Sequence, residues 1–124
     1  MRELKFRAWD KQTKDMLEFF APSMEFYNKR LNRYRDFFDR HIIQMQYTGL
    51  KDKNGTEVYE GDIVKFHFPN PYNTVVKFKN GHFAFYKGKR MMVDPYYYTN
   101  HVWSYAEVIG NIYEHPHLLG GEEE

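Results

Sequence analysis

Glu60 and Asp62 stand two apart around Gly61, and His115-Pro116-His117 follows Glu114 near the end of the chain. Paired carboxylates could divide proton transfer between them, and two imidazoles beside a carboxylate could begin a metal site. Each idea meets a chemical objection. Carboxylates spaced around a glycine suit a bend in which the side chain accepts backbone N–H bonds, so Asp62 is expected to cap a turn. A zinc or iron site wants three or four ligands, and Pro116 restricts the histidine pair, so a surface turn is expected there and no metal ligand. His67, His82 and His101 lie in or beside predicted strands and are expected to be hydrogen-bonded side chains. Ser23 and Ser104 occupy no nucleophile elbow, and Gly110 and Gly120-Gly121 lack the spacing of a phosphate loop. The chain is therefore read as non-enzymatic, with no catalytic residue and no cofactor.

A second kind of chemistry is recognition. Six basic residues and no acidic one fall between Ile63 and Val93, whereas six acidic residues and no Lys or Arg follow from Asp94 to Glu124. Lys77, Lys79, Lys87, Lys89 and Arg90 flank Phe83, Phe85 and Tyr86. Cations meet phosphates and aromatic rings stack on bases, so this stretch is the candidate surface for nucleic acid or another partner. Two facts weigh against nucleic acid. A sheet must bury one aromatic face, and a net charge of +1 is far from the basic excess usual in such proteins. The plainer alternative is a solvated face that keeps strands from aggregating.

The elements that position these residues read as mostly strands. Leu4 to Asp10 and Met16 to Phe20, separated by Lys11 to Lys14, predict an N-terminal hairpin. Met24, Tyr27, Leu31, Tyr34 and Phe38 recur at spacings of three or four after Pro22-Ser23, which predicts a helix between Pro22 and Arg40 with a basic polar face. From Ile42 to Tyr47 the period returns to two. Asn54-Gly55 supplies the positive φ angles of a tight hairpin, and Gly61-Asp62 bends the chain into Ile63 to Phe66. Pro69 and Pro71 stop that strand, and Asn80-Gly81 joins Thr74 to Lys79 with His82 to Tyr86 in a second hairpin. Met91 to Tyr105 reads as loop with strand fragments, Val108 to Tyr113 as a last strand bent at Gly110, and Gly120 to Glu124 as a frayed tail.

Composition bounds the rest. At 124 residues the chain suits one domain that can bury a core without metal or disulfide. It contains no Cys, which removes thiolate chemistry and fits a reducing cytoplasm. No signal-like start or membrane-spanning run is read, so a cytoplasmic protein without a membrane partner is expected. Aromatic residues make up 19%, and they suit half-buried strand surfaces as well as interfaces.

Tyr47-Thr48-Gly49-Leu50-Lys51-Asp52-Lys53-Asn54-Gly55, then Val58-Tyr59-Glu60-Gly61-Asp62-Ile63-Val64, resembles the YopX protein family of bacteriophages and prophages. Lys5 to Asp10 and Val108 to Pro116 match the same pattern in the family's order, while 21–41 and 69–105 do not contribute. The resemblance implies a mainly β protein with an SH3-like barrel in its C-terminal part, of phage or prophage origin and cytoplasmic in the bacterial host, and it implies no known activity. A second, weaker likeness is to MazF-like ribonucleases, whose Gly-Asp-Ile-Val strand precedes a Phe-Pro loop as Phe68-Pro69 does here. Those enzymes then carry an Arg-Pro, and Asn73-Thr74-Val75-Val76 has no Arg.

The expected architecture is thus a single domain over 1–124. A hairpin and one short helix fill 1–41, an SH3-like small barrel fills 42–115, and 116–124 is a tail. The expected role is a phage or prophage accessory protein that binds or self-associates. Its partners would be a second copy, a phage or host protein, or nucleic acid. Gly49, Asn54, Gly55, Gly61, Asp62 and Gly110 are expected to serve turn geometry alone.

Overall fold

In the computed structural model, residues 4–67, 70–93 and 105–119 are described. Among these residues the fold is mainly β, with two antiparallel sheets and two short 3-10 turns. The chain divides into two compact units, 1–47 and 48–124.

The first unit begins with the expected hairpin, β1 (Phe6–Asp10) and β2 (Asp15–Phe20). Its turn is built by Asp10, whose Oδ1 accepts the N–H groups of Gln12 and Thr13 at 2.9 and 3.3 Å. After it come β3 (Glu25–Asn28), β4 (Arg33–Asp36) and β5 (Ile42–Lys51), and the order across the sheet is β4-β3-β2-β1-β5. Residues opposite one another in an antiparallel ladder share a face. Ala8 faces Leu17, Phe19 faces Phe26, and these gather with Ile42, Phe6 and Phe37 into one core. The Phe37 ring lies flat on Phe26 with centroids 5.3 Å apart, while Phe6 and Phe19 meet it edge-on.

The helix expected between Pro22 and Arg40 does not form, and β3 and β4 stand in its place. Pro22 does open a helical turn, but it lasts only from Ala21 to Ser23 and is ended by Met24 at φ 56°. A second left-handed residue, Asn32 at φ 53°, turns the chain between the strands. Tyr27 and Tyr34, seven apart and hence two helical turns in the expected reading, are cross-strand partners with rings 5.0 Å apart. The two periodicities coincide at that spacing. What decides is that Phe26 and Asn28, buried two residues apart, alternate as a strand requires.

Ion pairs join the strands and turns of this unit. Arg35 reaches the buried Asp10 at 2.5 Å and Asp39 at 3.1 Å, and Arg30 grips Asp15 at 2.8 Å. The Arg30 hydrogen bond, and then Asn28, hold the Asp15 carboxyl well below the usual carboxylate range. The His41 N–H, then Arg35, lower that of Asp39. A depressed folded pKa adds stability that is complete above the unfolded value near 4 and is lost as pH falls through the folded one. Thermal melts of Asp15→Ala against the parent should therefore differ at pH 6, with the gap narrowing as pH falls below about 4. A gap that stays constant would remove the ionic account.

In the second unit, β6 (Glu57–Tyr59) pairs with the continuation of β5. Among the described residues five strands make the other sheet: β7 (Asp62–Phe66), β8 (Tyr72–Lys79), β9 (His82–Lys87), β10 (Arg90–Val93) and β11 (Ala106–Asn111). Their order is β10-β9-β8-β7-β11. Among the described residues this sheet is open, with β10 and β11 as its outer strands, so the barrel expected over 42–115 is not closed. The predicted Asn80-Gly81 hairpin is present, with φ of 54° and 84° at its two turn residues. On one face of the sheet, Val64, Phe66, Val76, Phe83, Phe85, Val93 and Ala106 form the core with Val58. Most of the stretch Met91 to Tyr105, and the frayed tail expected from Gly120, fall outside the described residues. Pro116–Leu119 forms a 3-10 turn tied to β8 by the Asn73 side chain, which donates to Leu118 O at 2.9 Å.

Candidate functional site

The polar residues that offered catalytic chemistry are occupied in turns. Asp62 is 1% exposed, and its Oδ2 accepts the Tyr59 N–H at 2.7 Å, the capping role expected of it. Gly61, at φ 87°, donates its N–H to Val76 O and its carbonyl accepts the Ile112 N–H, which joins three segments at one residue. Gly49 also has φ 88°, inside β5, next to Thr48 whose Oγ1 donates to Val58 O at 2.8 Å.

The 52–56 turn departs from the expected two-residue hairpin. Gly55 has φ 82°, but Asn54 is not left-handed, because five residues connect the strands and Asp52 organises them. One Asp52 oxygen accepts the N–H groups of Asn54 and Thr56, both at 2.9 Å, and the other accepts the Val108 N–H at 2.8 Å. Lys53 donates its N–H to Ala106 O, so the turn is stitched onto β11 at two points. Asp52 was not among the residues singled out from the sequence. An Asp three before a glycine at the end of a strand was the available signal.

At the end of β11, Asn111 Oδ1 accepts the N–H groups of Tyr113 and Glu114, and its Nδ2 donates to Glu114 Oε1 at 2.9 Å. His115 Nδ1 in turn accepts the Asn111 N–H at 3.1 Å. The ring lies so close to Gly110 that a Cβ there would stand 2.6 Å from Nδ1. His115 and His117 are 6.2 Å apart between ring centroids, and no group of three metal-binding side chains exists among the described residues. His67 and Glu107, both half-buried, bond at 2.9 Å, His82 Nδ1 lies 3.4 Å from Asn80 O, and His101 falls outside the described residues. At the place of the missing ribonuclease arginine, Asn73 holds the 3-10 turn and the Thr74 hydroxyl donates to Val64 O inside the sheet.

The candidate basic surface comes out altered. Phe83 and Phe85 are buried in the core and offer no ring to a base. Tyr86 lies on the other face, buried beneath lysine, with the Lys79 and Lys77 ammonium groups 4.8 and 5.6 Å from its centroid. Lys77 also donates to Gly88 O at 3.3 Å, which brings it to the β9–β10 turn. There Lys87 stands directly opposite Arg90, and both are exposed, as is Lys89 between them.

A second surface was not foreseen as such. On the β2-β3-β4 side of the first unit, Phe20 and Tyr34 are 43% and 51% exposed with rings 5.8 Å apart, and Tyr27 continues the strip. Glu18 shares that face and pairs with Lys29 at 3.3 Å. Tyr96 to Tyr105, part of the stretch read as loop with strand fragments, lies outside the described residues apart from the exposed Tyr105.

These features define a class: a two-unit antiparallel β protein whose signature carboxylates and glycines lock turns, and whose exposed surplus is aromatic and basic. The family model for YopX protein matches residues 5–120, and the chain belongs to that family. Among solved structures it is similar to protein EF1440 from Enterococcus faecalis, with 26% identity, a TM-score of 0.66, and coverage of 96% of this chain and 99% of that one. No curated protein matches it. Among the described residues no helix is long and apolar enough to cross a membrane.

Proposed function

We propose that the chain is a non-catalytic binding module of a phage or prophage accessory kind, working in the host cytoplasm, with an SH3-like arrangement in its second unit, and that it self-associates. The observation that carries the last point is the strip of exposed Phe20 and Tyr34, continued by the half-buried Tyr27, beside the Glu18–Lys29 pair. A twofold contact brings a patch against its own copy, so the patch must be self-complementary. Aromatic rings stack on their like, and a face with both charge signs can exchange ion pairs across the axis. Occupation of Asp52, Asp62 and Asn111 by backbone donors supports the non-catalytic part.

Light scattering during size exclusion tests the reading. An oligomer is expected that persists at high salt, because its centre is aromatic, and Phe20→Ala with Tyr34→Ala should weaken it by about tenfold or more. A monomer at every concentration would end the self-association reading.

A further inference from the structure

The aromatic strip shares its face with charges that are not evenly spread. Glu18, Tyr27 and Tyr34 stand opposite one another in one row across β2, β3 and β4, and Phe20, Glu25 and Asp36 form a second row on the same face, farther from the β3–β4 turn. Lys29 joins the face at the turn itself, where its exposed ammonium reaches Glu18 at 3.3 Å. The face is therefore cationic beside the β3–β4 turn and acidic beside the β2–β3 turn. Of its other cations, Arg7 stands opposite Glu18 on β1, and Lys5 lies 5.4 Å from the centroid of the Tyr47 ring.

The acidic end carries a cost. Like charges directly opposite in a ladder oppose folding, and the half-buried Glu25 faces Asp36 with no ion pair to either among the described residues. Asp36 gives one oxygen to the Phe38 N–H, which leaves its charge in place. We propose that a second copy supplies the missing cation: two chains pack strip against strip about a twofold axis that crosses β3 at Tyr27, so that Lys29 of each lies over Glu25 and Asp36 of the other. This rests on the self-association reading and gives that contact its orientation. Glu25 and Lys29 stand two residues before and two residues after Tyr27, so an axis crossing the strand there exchanges them. An axis running along the strands would instead set Lys29 on Lys29 and carboxylates on carboxylates, which the face is built to refuse. The crosswise axis also brings Glu18 near its own copy, and the bond to Lys29 neutralises it there. The rings supply the contact area, and the charges choose its direction.

Sedimentation equilibrium of the intact chain and two variants tests the orientation. Lys29→Glu reverses the cationic end, and Glu25→Lys with Asp36→Asn reverses the acidic end while keeping an oxygen for the Phe38 N–H. Twofold symmetry repeats each change, so at about 50 mM salt either variant alone should associate about tenfold or more weakly than the parent. Mixed in equal amounts, the two should recover at least the parent affinity, because one pair of ends is again opposite in sign and the other is unchanged. Circular dichroism confirms that each variant is folded. Variants that associate as the parent does, or a mixture that shows no gain over its components, overturn the orientation while the parent oligomer still upholds self-association. A monomeric parent overturns both.

Discussion

Asp52→Ala is expected to lower the free energy of unfolding by about 3 kcal/mol, and the midpoint of a thermal melt by about 10 °C. The carboxylate is 6% exposed and accepts three backbone N–H groups, from Asn54, Thr56 and Val108. Alanine removes all three acceptors at once, and water replaces them poorly at a buried site. Bonds to an ionised acceptor are also stronger than neutral ones, which raises the loss above that of an ordinary turn residue. Asp52→Asn should fall between, because an amide oxygen can still serve the turn while its NH2 group faces the Val108 donor. Chemical denaturation of the three proteins checks the order, and equal stability of Asp52→Ala and the parent would refute this account. Amide exchange adds a local readout: the Val108 N–H, 56 residues away in sequence, should lose protection in both variants.

The same residue shows how far the chain could be read without coordinates. Hairpins announced by local chemistry were legible: Asn80-Gly81 adopts the two positive φ angles its residue types favour, and Asp62 caps its bend. Asp52 was hidden because its decisive bond crosses to β11, and no local pattern encodes a partner that distant. The segment from Pro22 to Arg40 misled for another reason. Its strands are four residues each, too short for alternation to outweigh the coincidence by which a hairpin pair seven apart imitates one helical face. On the candidate surface, the lysines were visible in the sequence but the facing of the rings was not. Phe83 and Phe85 share a face with Val76 and Phe66, so the core claims both rings.

Gly110→Ala is expected to destabilise the second unit by about 2 kcal/mol or more, although its φ is not of the kind that demands glycine. The cause is space. An added Cβ would lie 2.6 Å from His115 Nδ1, 2.8 Å from Cγ and 3.0 Å from Cβ. A clash with the tip of a long side chain is relieved by rotation, but here the contact includes the histidine Cβ, so the whole ring must leave. With it goes the acceptor of the Asn111 N–H, in a turn where Asn111 already serves Tyr113, Glu114 and the Glu114 carboxylate. His115→Ala alone should be milder, about 1 kcal/mol, since it removes one hydrogen bond without forcing the backbone. The double variant distinguishes steric from conformational causes. If the clash governs, Gly110→Ala with His115→Ala should be clearly more stable than the sum of the single losses, by about 1 kcal/mol, because the second change removes what the first collides with. Additive losses in chemical denaturation would instead place the need for glycine in the backbone bend of β11, where the ladder slips register between Val108 and Gly110.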